Sequence, residues 1–349
     1  MRLRTYVHIS DLHIGSIDPE TRDARASRLW AKWEHFDGLL GHSYRSLVRL
    51  EAFFDRLRNA EDAMLIVSGD LTTVGNPDEF ATADAYLGDL LRPPKGMYLG
   101  LKYRKWREHR VPGNHDHWPG APVILGPPTS DFPTRFSGIP DEQILTTAGR
   151  NIVRFLRVDT DSDVSPYGAK RVLARGSFVP QLKQLASRLK VPNENEVRIL
   201  VLHHSYSASG PTLAMDSRSK AALHDFIVEH DIAVLLCGHI HQPPFVQALK
   251  AVHLKQTATF LEARCGTTTQ VSTLPYEWTT LTGSRPQRPE HWPNTLLVHR
   301  LYKDGNRLWW ETEVHAERPT GFSLIQDLLP DFPYVARFGL LPRDQRGAI

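Results

Sequence analysis

Five short stretches of this chain are each followed at once by side chains able to hold a metal ion, and that coincidence constrains the fold more than any other feature. Asp11-Leu12-His13 follows residues 6–10, Gly69-Asp70 follows 64–68, and Gly113-Asn114-His115-Asp116 follows 109–112. His203-His204 follows 199–202, and Gly238-His239-Ile240-His241 follows 232–237. The Val-, Ile- and Leu-rich runs among them read as buried strands. In open α/β sheets ligands bind beyond the carboxyl ends of the strands, so all five sets can converge on one crevice however far apart they lie in sequence. Asp11 and His13 are spaced by two, as are His239 and His241, which in an extended strand end turns both side chains to one face.

Helical faces lie between these runs. Leu50, Phe53, Phe54 and Leu57 fall at i, i+3, i+4, i+7, and Phe80, Ala83, Leu87, Leu90 and Leu91 repeat that face behind a start at Asn76-Pro77. Leu182, Leu185 and Leu189 form a third face, and Leu223, Phe226 and Ile227 a fourth. Residues 153–158 add a strand. Near the C-terminus, 295–302 and 307–314 flank Lys303-Asp304-Gly305-Asn306, which predicts a β-hairpin with a tight Asp-Gly turn. The expectation is an α/β domain over 1–318 and a C-terminal tail over 319–349. Residues 112–140 carry seven prolines and read as a long loop, a candidate lid, and 267–293 form a second such stretch.

With 41% hydrophobic and 23% charged residues in 349, the chain can bury a sizeable core and is not a disordered polymer. Its apolar runs fall far short of the roughly 20 residues that span a bilayer, and charge and His interrupt any signal core at the N-terminus. Cys237 and Cys265 lack CxxC spacing, so a reducing cytoplasm is expected and a bound metal must use His, Asp and Asn. The net charge of +3 does not predict a nucleic-acid surface. Locally, however, Lys102, Arg104, Lys105, Arg107 and Arg110 interleave with Tyr103 and Trp106 against only Glu108. That stretch reads either as a phosphate-contacting surface or, more plainly, as a solvated basic face over aromatic packing.

Carboxylate, imidazole and amide oxygen without thiolate suit Mn²⁺, Fe²⁺, Zn²⁺ or Ni²⁺, and a carboxylate can bridge two such ions. Two metals about 3.5–4 Å apart hold a phosphoryl oxygen and lower the pKa of a shared water, so the nucleophile needs neither Ser nor Cys. The order Asp-x-His, Gly-Asp, Gly-Asn-His-Asp, His, Gly-His-x-His resembles the calcineurin-like metallophosphoesterase superfamily, with matching residues from Asp11 to His241. The resemblance implies an α/β fold, a four-layer β-sandwich flanked by helices, with two divalent ions. Asp11, His13 and His241 would hold one ion, and Asn114, His203 and His239 the other, with Asp70 between them. His115 would bond the phosphate or the leaving oxygen with Asp116 orienting its ring, and His203, the first of its pair, would be the ligand in preference to His204.

Gly69-Asp70-Leu71-Thr72, with Gly75 and Asp78-Glu79-Phe80 beyond, is similar to the cyclic nucleotide and glycerophosphodiester phosphodiesterase branch. The Gly-Asp-x-Val-Asp-Arg-Gly pattern of protein Ser/Thr phosphatases is absent. The resemblance therefore implies hydrolysis of a small phosphodiester, with no membrane partner. The alternative is an SbcD-type DNA nuclease, whose family shares the opening run 8–15 and for which the basic stretch would be the DNA track. A non-catalytic scaffold would show missing ligand types, and none is missing. The chain departs from the diesterase branch in following the His pair with Ser205 where Pro is usual, and in carrying insertions near 16–60 and 91–140.

Overall fold

The structure is a computed structural model that describes residues 1–15, 44–91, 98–121, 123–148, 151–191, 193–241, 244–269 and 293–349. Most of the expected insertion near 16–60, part of that near 91–140, and most of the loop 267–293 therefore lie outside the described residues.

Four of the five stretches ahead of the metal-binding motifs are strands. They are β1 (Arg2–Ile9), β2 (Met64–Val67), β5 (Glu196–Val201) and β6 (Ile232–Cys237). The fifth, 109–112, forms only an isolated bridge from Arg110 to Val67. Residues 153–157 fall within β4 (Asn151–Arg157), with Val158 just past its end, and β4 pairs antiparallel with β3 (Asp141–Ala148) and parallel with β5. These strands divide between two mixed sheets. In one, β3, β4, β5 and β6 continue into β8 (Gln256–Arg264) and β7 (Phe245–His253). In the other, β2 and β1 continue into β9 (Thr295–Asp304) and β10 (Arg307–Arg318).

The alternation of side chains explains why these strands are apolar on both faces. Tyr6 and Ile66 point into a core shared with Ile199, Val201, Val234 and Leu236 of the other sheet. Their neighbours Val7, Ile9, Leu65 and Val67 point the other way, against Leu50, Phe53 and Phe54 of α1 (Tyr44–Glu61) and Phe80, Ala83 and Leu87 of α2 (Pro77–Gly88). On the far side, Leu200 and Leu235 pack on Leu182 and Leu185 of α3 (Val179–Ala186) and on Leu223, Phe226 and Ile227 of α4 (Ser217–Glu229). The result is helix, sheet, sheet, helix: an α/β fold of four layers with every strand of the centre buried on both faces.

Local chemistry sets the element ends. Asn76 and Glu79 close a capping box on α2, with Pro77 in the first turn. The helix stops at Gly88, short of Leu90 and Leu91, because the chain turns back and Leu91 pairs with Leu99. The hairpin of β9 and β10 turns at Gly305-Asn306, one residue later than the expected Asp-Gly pair, with Gly305 at φ +55°. A second hairpin, β7–β8, turns at Leu254-Lys255 with both residues at positive φ, a shape that normally selects Asn or Gly. Residues 319–349 add three short strands to the sheet of β1 and β2, β11 (Gly321–Leu324), β12 (Arg337–Leu341) and β13 (Gly347–Ala348). Among the described residues no helix is long and apolar enough to cross a membrane.

Among the described residues Trp310 is the largest fully buried side chain; it stacks on Tyr6 at 5.7 Å between the sheets and donates to His299 Nδ1 at 3.1 Å. Trp310→Ala is expected to cost about 3–5 kcal/mol in chemical denaturation. A loss below about 1 kcal/mol would contradict this placement of the central core.

Candidate metal centre

Beyond the ends of β1 and β2 the two chains stay zipped together. Asp11 N donates to the Gly69 carbonyl at 3.0 Å, His13 N to that of Asp70 at 3.0 Å, and Ile14 N to that of Leu71 at 2.9 Å. The backbone there is not the extended form that a spacing of two suggested. Asp11, His13, Asp70 and His239 all sit at positive φ, between 46° and 72°. Such strain in non-glycine residues persists only where the surroundings over-determine it, and it clusters at functional sites. Two glycines make the approach close enough: a Cβ on Gly113 would collide with the Asp70 carboxylate, and one on Gly238 with Ser10.

Two sets of donor atoms gather, and Asp70 belongs to both. In the first, His13 Nε2 lies 3.0 Å from His241 Nε2 and 4.0 Å from Asp70 Oδ2, and His241 Nε2 lies 3.3 Å from Asp11 Oδ1. In the second, His203 Nε2 is 3.2 Å from Asp70 Oδ2, 3.2 Å from Asn114 Oδ1 and 3.1 Å from His239 Nδ1. All are buried except His241, whose side chain reaches solvent. The His pair divides. His204 turns away to Thr160 Oγ1 at 2.8 Å and the Ala174 carbonyl, leaving His203 facing Asp70.

These donors fit divalent ions. Asp11 Oδ1 and Asp70 Oδ2 are buried without a well-formed hydrogen bond, as is His13 Nδ1, and unmet polar atoms of this kind are costly unless something else satisfies them. The outer contacts set the tautomers. His203 Nδ1 donates to the Ser68 carbonyl at 2.7 Å and His239 Nε2 to the Ala174 carbonyl at 3.2 Å, so each ring turns a lone pair inward. Burial, followed by neighbouring imidazoles, holds His13 and His239 well below the ordinary histidine pKa, in the neutral form that ligates. Burial alone would raise the Asp70 carboxyl, but His203 and His115 hold it well below the usual carboxylate range. Burial works against charge on His203, yet Asp70 outweighs it and lifts that pKa to about 10. A cation beside Asp70 would take over the role of that proton.

His115 and Asp116 stand behind this cluster. His115 Nδ1 donates to the Thr73 carbonyl at 2.7 Å, its ring stacks on Trp118 at 4.1 Å and meets the edge of His13 at 4.6 Å. Asp116 does not orient that ring as expected. Its carboxylate is spent on the amides of Gly113, Leu71 and Thr72 and on Thr72 Oγ1, which ties the loop after β2 to the loop that carries Asn114. Burial and nearby Asp70 push its pKa up to about 6.

Three further residues belong to the neighbourhood. His117 Nε2 lies 3.0 Å from both oxygens of Asp159, and buried Arg171 reaches the Asn114 carbonyl at 3.4 Å. His117 stood in plain sight, two positions after His115, whereas Arg171 and the three carbonyls of Ser68, Thr73 and Ala174 leave no mark in a sequence. The basic stretch is broken up by its surroundings: Lys102 pairs with Glu51, Arg107 with Asp84, and Trp106 and Arg110 are buried, while Arg104 and Lys105 stay exposed.

A family profile described as calcineurin-like phosphoesterase matches residues 4–243. Among solved structures, the chain is similar to a putative 5'-nucleotidase from Staphylococcus aureus in complex with alpha-ketoglutarate, at a TM-score of 0.39 and 12% identity, covering 86% of this chain and 51% of that one. It is also similar to a purple acid phosphatase from yellow lupin (Lupinus luteus) seeds, at 0.43 and 11%, covering 89% and 51%. The chain thus spans about half the length of each of these proteins. No curated protein matches it.

Because one carboxylate serves both donor sets, the two ions should bind interdependently. Metal analysis of the purified protein is expected to find close to two divalent ions per chain, and Asp70→Ala is expected to lose both while its circular dichroism stays native. Full occupancy in that variant would rule the assignment out.

Proposed function

This chain belongs to the calcineurin-like phosphoesterase family, and we propose that within it the protein is a dinuclear metal-dependent phosphodiesterase of small diesters. The observation that carries the reading is the pair of donor sets joined at Asp70. In it Asp11, His13 and His241 would hold one ion and Asn114, His203 and His239 the other, with Asp70 available to both. When bound, two divalent ions would supply charge to polarise phosphoryl oxygens and would lower the pKa of a water they share.

The protein's own groups do the rest. His115, with Nδ1 committed to the Thr73 carbonyl and its ring held by Trp118, offers Nε2 for the phosphate or the leaving oxygen. Asp116 acts through the backbone, keeping the Asp70 and Asn114 loops in register. The preference for a diester rests on the Gly69-Asp70-Leu71-Thr72 context and on charge. A diester carries one negative charge at neutral pH and a monoester nearly two, and the buried Arg171 guanidinium beside Asn114 already faces Asp161 and the Asn114 carbonyl. Cyclic nucleotides and glycerophosphodiesters are the substrates this reading favours.

With Mn²⁺ present, kcat/KM for bis-p-nitrophenyl phosphate should exceed that for p-nitrophenyl phosphate. A monoester turned over better than every diester, or single-stranded DNA degraded with small diesters untouched, would overturn the reading. His115→Ala should keep its metals and lose about 10² to 10⁴ in rate on poor leaving groups, with a smaller loss when p-nitrophenolate departs. An equal loss on both would remove the proton-donor role.

A further inference from the structure

The stretch of basic residues ahead of Asn114 builds a cavity that the metal centre does not use. The side chains of Arg107, Arg110, Arg135 and Arg157 line a space of about 510 Å³, with Phe136 and Ile139 as apolar wall. None of these residues is among the candidate metal ligands, and the volume lies within the usual range for small-ligand pockets.

The charges around it do not balance. Arg157 makes a two-point pair with Asp141, at 2.7 and 2.5 Å. Arg107 and Arg135 share Asp84 at 2.9 and 2.8 Å, and Arg135 also holds Asp131, itself on the cavity wall, at 2.5 Å. Arg110 is left over. It is buried, its guanidinium carbon lies 4.6 Å from the ring centres of both Trp106 and Phe136, and its one hydrogen bond goes from Nη2 to the Arg135 carbonyl. No described carboxylate lies within ion-pair distance of it. Four guanidinium groups therefore meet three carboxylates, and the unpaired charge is a buried one.

Burial lowers the Arg110 pKa only to about 10, so it stays charged at neutral pH. A desolvated cation without a counter-ion is costly, and a guanidinium fork matches the oxygen spacing of phosphate. The aromatic sandwich fixes that fork in place before any ligand arrives. We propose that this cavity is a second binding site, for a small phosphate-bearing anion, with Arg110 as its anchor and Arg107 at its rim.

Calorimetric titration of the metal-loaded full chain with inorganic phosphate tests this by difference. Arg110→Gln is expected to bind one phosphate fewer per chain than the wild type, with metal content unchanged. Arg107→Ala, a substitution on the exposed rim that leaves the core intact, should weaken the same site at least threefold. Phenylphosphonate in place of phosphate identifies the source: tighter binding at this site points to an organic phosphate seated on Phe136 and Ile139, and equal binding to free phosphate. Identical stoichiometry and affinity in the wild type and both variants would overturn the proposal. So would a site that takes single-stranded oligonucleotide through Arg107 and Arg110 but no phosphate.

Discussion

One buried carboxylate holds the centre of this molecule together. Asp70 stands where two donor sets meet, and almost every irregularity nearby exists to put it there. Its own backbone is left-handed, its Oδ1 takes the His115 amide at 2.8 Å, and Gly113 is bare because any side chain would displace it. An ionised carboxylate at this depth is expensive without compensation. The histidines around it offset that cost only in part, and two of the cluster's oxygens still lack a well-formed hydrogen bond.

The rest of the fold can be understood as the frame for that charge. Two sheets buried on both faces bring the ends of β1, β2, β5 and β6 to one side. Covering helices close the outer faces, and the C-terminal strands complete the sheet that carries Asp11 and Asp70. The strands are regular and apolar, and the left-handed residues of the site, Asp11, His13, Asp70 and His239, lie just past their ends. Stability and function are separated along these strands: alternating Val, Ile and Leu below, donor Asp and His above.

Much of this was legible in the sequence because strand ends are marked twice, by an apolar run and by the donor residues after it. The central strands and the helix start at Asn76 follow from period and capping chemistry. What escaped was set by partners distant in the chain. The β7–β8 hairpin turns on Leu254 and Lys255, which carry no turn signal. The task of orienting His115 falls to the Thr73 carbonyl, and a carbonyl is invisible to side-chain patterns, so Asp116, the adjacent carboxylate, was the natural but mistaken choice. The basic stretch shows the same limit. Its positive charge is plain, but whether each cation is exposed, paired or buried depends on Glu51, Asp84 and Phe136.

The claim on which the functional reading turns is that Asp70 joins two ions into one centre. Electron paramagnetic resonance of the Mn²⁺-loaded protein observes that joining directly, because a shared carboxylate couples the electron spins of neighbouring ions. A spin-coupled Mn²⁺ pair in the wild type is the expected result, and a spectrum of isolated, uncoupled Mn²⁺ at full loading would contradict it.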